Sequence, residues 1–398
     1  MKQIVQSAKT GKLSVRDVPV PKAAAGELLV QTRASLISAG TERMVVQFAR
    51  KSLAAKAKDR PDLVQKVFAK VRTDGLKATV NTVLSRLDEP LPLGYSAAGV
   101  VVEVGAGLEG IYRTGDRVAV AGAGVANHAE LNAVPKNLTA PIPHDVSDED
   151  ACYGTLAAIA LHAVRNLDAK LGETVAVLGL GLVGQLTAQF LALSGVRVAA
   201  LDYDQGRLDL ARKLGSEKII NLADADAVSQ AMALTSARGC DGILIAAAAA
   251  TSEPFEMAAE IARDRAKVCL VGLSGTAFPY AAFMKKELSI IVSRSCGPGR
   301  YDEDYEDRGI KYPEGFIRWT ETENLAESVR LMSAGLPHRL NVAGLTTHSF
   351  AIENADQAYA LVMEKTEPHM GVLLTYPDVR PAEYPVNFPA PSAASDAC

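Results

Sequence analysis

Residues 174–204 read TVAVLGLGLVGQLTAQFLALSGVRVAALDYD, and the order of textures in this stretch decides the fold. A short apolar run, Thr174–Leu178, stops at three glycines spaced G-x-G-x-x-G: Gly179, Gly181 and Gly184. A helical stretch, Leu182–Leu193, follows, then a second apolar run, Val196–Leu201, that ends in Asp202. Strand, tight turn, helix and strand in that order form the phosphate-binding βαβ unit. Gly179 permits the turn, Gly181 lets backbone approach a pyrophosphate, and Gly184 lets the helix pack on the strand. The helix opens at Leu182 and Val183, so free amides and the positive dipole end meet the phosphates there. Asp202 lies twenty-three positions after Gly179. A carboxylate at that place accepts hydrogen bonds from ribose hydroxyls and repels a 2′-phosphate, so NAD(H) is expected over NADP(H). Asp204 and Arg207 stand close enough to soften that preference.

Outward from this unit, the alternation of strand and helix runs from about residue 151 to 296. Further strands are expected at Lys218–Asn221, Gly242–Ala246, Lys267–Val271 and Leu288–Ser293, with a helix over Gln205–Leu214. Near-continuous apolar strands that alternate with helices imply a parallel sheet covered on both faces, here the six-stranded Rossmann sheet. Residues 1–150 differ: short β-rich runs such as LLVQTRASLI, AAGVVVEVGAG and TGDRVAVAG alternate with Gly and Asp, as in a barrel-like domain. Residues 297–377 turn mixed and charged, then return to a strand pattern over Leu345–Tyr376 that is expected to rejoin the first domain. The last stretch, 378–398, is Pro/Ala/Ser-rich and reads as a surface tail.

One block interrupts the first domain. Residues 43–89 carry apolar positions at helical spacing and eleven Lys/Arg against five Asp/Glu, a local +6 in a chain of net charge −4. A helical hairpin with a solvated basic face is the simpler expectation, and a surface that steers an anionic substrate is the sharper one. At 398 residues with 48% hydrophobic and 22% charged residues, the chain has material for two cores and no bias toward nucleic acid. Its N-terminus lacks a secretory apolar segment, and no apolar run spans a bilayer, so a cytoplasmic location is expected. Five scattered cysteines without a C-x-x-C exclude a cysteine zinc cage and fit a reducing compartment.

A β-rich domain, a nucleotide sheet and a return segment, in that order, resemble the medium-chain dehydrogenase/reductase superfamily of the zinc alcohol dehydrogenase type. LPLGYSAAGVVVEVGAG stands where that family carries G-H-E-x-x-G-x-V, TGDRVAV matches its G-D-R-V turn, and NHAELNAVP its H-A-E-Y stretch. The resemblance implies a GroES-like β-barrel substrate domain, discontinuous in sequence, a homodimer, and a dehydrogenase working on an alcohol or ketone. It also implies cofactor contacts near Leu273 and Ser295. The family's zinc ligands are absent: Ser38 stands near the Cys position, Tyr95 replaces the His, Ser96 the Glu, and Gly154–Thr155 the third ligand. Hydroxyls are poor zinc donors, and a lone Cys152 nearby cannot hold the metal, so a zinc-free site is expected.

Two narrower resemblances follow. S-x-G-T-E at 38–42 and Gly94–Tyr95 are similar to the branch of bacteriochlorophyllide hydroxyethyl dehydrogenases. SRSCGPGRYDEDYEDRGIKYPEGFIRWTE, at 293–321, is similar to a bacterial group often fused to a Gfo/Idh/MocA-type oxidoreductase, which suggests a separate partner of that type and a sugar-derived substrate. Without zinc, a hydrogen-bond donor must polarise the reacting oxygen. Tyr95 is the first candidate, with Thr41 and Ser38 beside it as relay hydroxyls and Glu42 to orient them. A space-filling phenol is the competing role for Tyr95. His162 reads as a helix-packing residue, His128 and His144 as surface or turn residues, and Arg300 either as a carboxylate or phosphate ligand or as part of a Gly-Pro-Gly turn. Reduction of an activated C=C or quinone, and a non-catalytic dinucleotide-binding partner subunit, are the alternative functions.

Overall fold

The computed structural model describes residues 1–7, 9–51, 55 and 90–378. Most of the basic block at 43–89 and all but the first residue of the tail at 378–398 lie outside the described residues. The first 150 residues supply β1 (Lys2–Ser7), β2 (Leu13–Asp17), β3 (Glu27–Ile37), β4 (Pro90–Pro92), β5 (Ser96–Val104), β6 (Arg117–Ala121), β7 (Leu131–Pro135) and β8 (Thr139–Pro141). One helix, α1 (Ala39–Arg50), follows β3 directly. β3 is long because eleven consecutive residues alternate between two packed surfaces, and almost all are buried.

Helix α2 (Gly154–Leu167) leads into the second layer. There β9 (Thr174–Leu178), α3 (Leu182–Leu193), β10 (Arg197–Asp202), α4 (Gln205–Lys213), β11 (Lys218–Asn221), α5 (Ala227–Leu234), β12 (Cys240–Ile245), α6 (Glu253–Ile261), β13 (Ala262–Leu270), α7 (Tyr280–Lys286) and β14 (Ser289–Val292) alternate. The strands pair in parallel in the order β11-β10-β9-β12-β13-β14. That order reverses beside β9, which opens a crevice at the carboxyl ends of the strands. Every residue of β9 is buried, as a strand covered by helices on both faces requires. Four of the six expected strands differ from the observed ones by up to five residues at their starts and one at their ends, most at β13, because the apolar pattern marks only the sheet centre.

Helix α8 (Glu321–Arg330) then crosses back over α2, and β15 (Thr346–Ala351), α9 (Ala355–Glu364) and β16 (Gly371–Thr375) close the chain. β16 pairs antiparallel with β3, so the return segment joins a mixed sheet ordered β15-β16-β3-β5-β6-β8, with β7 on β3. The largest buried cluster runs unbroken from that sheet through α2 and α8 into the nucleotide sheet, which fixes the two layers against each other. Among the described residues, no helix is long and apolar enough to cross a membrane.

Candidate active site

The glycine turn after β9 and the acid at the end of β10 stand side by side. Gly179 adopts φ +91°, and a Cβ there would meet the Ala247 backbone at 2.6 Å. A Cβ on Gly184 would stand 1.9 Å from the Gly179 carbonyl oxygen, so the helix can approach the strand only without a side chain. At Gly181 a Cβ would meet nothing within 4 Å, which leaves the open face a pyrophosphate needs. Leu182 and Val183 are half-buried at the start of α3, where first-turn amides have no intrahelical acceptor.

Asp202, 7% exposed, already accepts two backbone bonds, from the Leu180 amide at 2.6 Å and the Asp204 amide at 2.9 Å. Each carboxylate oxygen retains a second lone pair, so the group can take ribose hydroxyls while it clamps the glycine turn. Arg207 lies 3.8 Å from it, on a half-exposed side chain. Leu273 is exposed beyond β13, held by a bond from the Ala249 amide to its carbonyl.

The hydroxyl side of the candidate site is assembled over longer range. Ser38 sits at the N-terminal cap of α1, yet its hydroxyl does not cap the helix. It accepts a 2.6 Å hydrogen bond from the Tyr95 hydroxyl, and Thr41 Oγ1 lies 3.5 Å from the same phenol. Glu42 reaches back to accept the Ser38 amide at 2.9 Å, so α1 is fastened through its own first turn. Behind Glu42 stands His128, 0% exposed: its Nε2 is 3.3 Å from the carboxylate, and its Nδ1 is 2.6 Å from Ser35 Oγ. The Tyr359 hydroxyl also donates to Glu42. The surface or turn placement expected for His128 is therefore wrong. Its polar neighbours Asn127 and Glu130 are themselves buried, and the ring is satisfied on both nitrogens. His144 is exposed, as expected. His162 is half-buried on α2, bonded to Asn166.

The positions of the missing zinc ligands are bonded to one another. Thr155 Oγ1 donates to the Tyr95 carbonyl at 3.2 Å, and Ser96 Oγ donates to the Cys152 carbonyl at 2.6 Å. A serine, a tyrosine and a threonine engaged in this way do not fit zinc, which takes thiolate, imidazole or carboxylate. Among the described residues, no group of three His, Cys, Asp or Glu stands ready to hold a metal. Burial raises the Tyr95 pKa above its ordinary value, against the lowering influence of the Ser38 and Thr41 hydrogen bonds. The phenol thus keeps its proton and acts as a donor, rather than titrating downward toward neutrality.

A cavity of about 190 Å³ between the layers is lined by Thr41, Tyr95, Thr155, Ser295, Arg300 and Glu321, among others. The structure thus brings Tyr95, Thr41 and Ser295 to one space, with Ser38 and Glu42 behind them. Arg300 faces it, but its guanidinium pairs with Glu306 at 2.5 Å and lies 4.1 Å over the Tyr301 ring, so it is no free anion site. Glu321 was not foreseen, since an acid opening a helix reads as a solvated first-turn residue. It is 2% exposed, and burial followed by the nearby Glu306 raises its pKa to about 8.

Residues 183–308 match the family model described as zinc-binding dehydrogenase. An alcohol dehydrogenase of Cupriavidus necator is 27% identical over 240 residues, 58% of each chain. Galactitol-1-phosphate dehydrogenase of Escherichia coli superposes with a TM-score of 0.69 at 20% identity, over 94% of this chain and all of that one. A short chain alcohol dehydrogenase of Escherichia coli CFT073, complexed with NADH, gives a TM-score of 0.67 at 21% identity over 94% and 99%. The chain is similar to the medium-chain dehydrogenases, through the family-model match over residues 183–308 and through a shared fold. Its mixed sheet has the fold of the GroES-like domain of those dehydrogenases, and its parallel sheet that of their Rossmann domain. The match to the Cupriavidus relative covers little more than half of either chain. The family-model match takes in Asp202 and Arg207, and Ser38 and Tyr95 lie outside its residues.

Proposed function

We propose that the chain is an NAD(H)-dependent oxidoreductase that interconverts a secondary alcohol and a ketone, in a sugar-like substrate, without zinc. The observation that carries this reading is the hydroxyl cluster of Ser38, Tyr95 and Thr41, placed on a cavity beside the carboxyl edge of the nucleotide sheet. Bound NAD(H) would accept or supply the hydride. Tyr95 holds a proton at its hydroxyl, and reversal of its bond with Ser38 turns that proton into the cavity toward a carbonyl oxygen. In the oxidation direction the alcohol hands its proton to this hydroxyl chain as each hydroxyl passes on its own, and the last proton leaves to water. Glu42, fixed by His128 and Tyr359, orients Ser38 through its amide.

Asp202 supports NAD(H) as the cofactor, in keeping with the NADH-complexed relative. A phenol donor also suits an enone carbonyl, so reduction of an activated C=C is the second reading. The half-exposed edge strand β14, with Val292 70% exposed, is the surface through which we propose a homodimer, measurable by light scattering. The function is tested by melting curves with NAD, NADH, NADP and NADPH, followed by turnover on ketoses, uronates and enones. A rise in melting temperature with NAD(H) and turnover of a ketose or its polyol support the proposal. Preference for NADPH with turnover only of enones overturns it.

A further inference from the structure

The segment that leaves the nucleotide sheet has a backbone that its own residues do not favour, and one buried amide grips it. β14 ends at Val292, and residues 295–301 then cross toward α8. Along this crossing Ser295, Gly297, Gly299 and Tyr301 have φ of +53°, +121°, +109° and +68°. A serine and a tyrosine stay in the left-handed region only where their surroundings hold them there. The crossing contributes Ser295, Cys296, Arg300 and Tyr301 to the cavity that Thr41 and Tyr95 also line. Asn324, on α8 and 0% exposed, supplies the grip. Its Nδ2 donates to the Cys296 carbonyl at 2.7 Å, and its Oδ1 accepts from Arg165 Nη1 on α2. A carbonyl only accepts and a guanidinium only donates, so an amide matches both, a carboxylate only the arginine, and a hydrocarbon neither. Arg165 is itself fixed, its guanidinium carbon 3.6 Å over the Trp319 ring. Gly297 closes against the amide: a Cβ there would stand 2.6 Å from Asn324 Nδ2. Asn166 on α2 holds the start of the crossing, donating from Nδ2 to Ser293 Oγ at 3.1 Å. α8 does not need Asn324 for its own start, which a capping box of Thr320 and Glu323 secures.

The order of the sheet says what this crossing faces. Asp202 ends β10 and the glycine turn follows β9, while β12, β13 and β14 lie beyond the reversal. A dinucleotide with its first ribose at Asp202 and its phosphates at Gly181 extends its second half over those three strands, toward residues 293–301. We propose that Asn324 is a positioning residue for that half: by holding the Cys296 carbonyl, it fixes the 295–301 crossing as the wall against which the nicotinamide end of the cofactor rests. The inference rests on the NAD(H) reading above. It gives α8 a part in cofactor binding, although α8 lies far along the chain from the glycine turn.

The test separates the two halves of the cofactor and reads binding rather than turnover. The full chain is titrated calorimetrically with NADH and with ADP-ribose, which keeps the part proposed for Asp202 and Gly181 and lacks the nicotinamide. Asn324→Asp keeps an acceptor for Arg165 and turns a second oxygen toward the Cys296 carbonyl, so the crossing is released while the α2–α8 link remains. Loss of that buried bond, with repulsion in its place, predicts NADH binding weaker by about tenfold or more, and ADP-ribose binding within about twofold of the unmodified chain. Gly297→Ala, which displaces the same contact from the other side, is expected to reproduce the split. Equal loss of both ligands in a folded Asn324→Asp marks a merely structural role and overturns the proposal. Unchanged binding of both overturns it too. Where neither variant folds, amide hydrogen exchange of the unmodified chain decides. Slower exchange across 293–301 with NADH and not with ADP-ribose supports the proposal; equal slowing by both, or slowing by neither, overturns it. An unmodified chain that binds no NADH overturns the NAD(H) reading and this proposal with it, whereas normal NADH binding without a split in the variants overturns only the part given to Asn324.

Discussion

The edge proposed to hold the cofactor lies within one continuous stretch, Gly179 to Asp202, whereas the pocket proposed to hold the substrate draws Ser38, Tyr95, Thr155, Cys296 and Glu321 from segments far apart in the chain. The first is governed by steric rules that act between neighbours: a Cβ on Gly184 collides with Gly179, five residues away. The second is governed by partners that only the fold supplies. Ser38 meets Tyr95 across 57 positions, and Glu42 meets His128 across 86. The glycine-turn edge and the pocket beside it can therefore vary independently, since the two share few residues.

Substitutions on the two sides should separate them. The largest effect is expected at Tyr95→Phe, which keeps the ring and removes the donor: turnover falls by about 10²-fold or more, the range of a positioned acid. NADH affinity, measured by titration, stays unchanged. Retention of turnover when chemistry is rate-limiting would make the phenol a filler. Asp202→Ala acts on the other side. It removes acceptors from the Leu180 and Asp204 amides as well as from the ribose, and charge-assisted bonds of this kind are worth about 1.5–3 kcal/mol. Calorimetry should show weaker NADH and a smaller gap to NADPH.

Glu321→Gln has a subtler signature, in the pH dependence of stability. The folded-state pKa of about 8 lies above the ordinary 4.5, so the folded chain holds a proton that the unfolded chain has released. Stability from this group is full below about pH 4.5 and is lost as pH rises toward 8. The melting temperature of Glu321→Gln should lack that component of the decline. A decline identical in both proteins would contradict the neutral-acid assignment. The smallest effect is expected at Thr41→Val: at 3.5 Å from Tyr95 its hydroxyl is a secondary partner, and steady-state turnover should fall by less than about tenfold.

How much was legible in the sequence follows the same division. The glycine turn, Asp202 and α3 could be placed from spacing, since each depends on its immediate neighbours. Ser38, Thr41 and Tyr95 were reached only through resemblance to a family, whose motifs carry long-range contacts in encoded form. His128 was misread because Asn127 and Glu130 beside it look solvated, yet all three are buried where the residues just before β7 bridge to β1 at Gln3–Ala129. Glu321 was missed for a related reason. In RWTETEN it looks like an acid that favours a helix start, and only the Gly297–Pro298–Gly299 turn, packed against it, makes it a buried group.

The central claim is that hydroxyls, rather than a metal, polarise the reacting oxygen. Elemental analysis of active protein purified without chelator measures it most directly, with turnover assayed before and after EDTA. The account predicts far less than one zinc per chain and undiminished turnover. Stoichiometric zinc, with activity that EDTA abolishes and zinc restores, would contradict it.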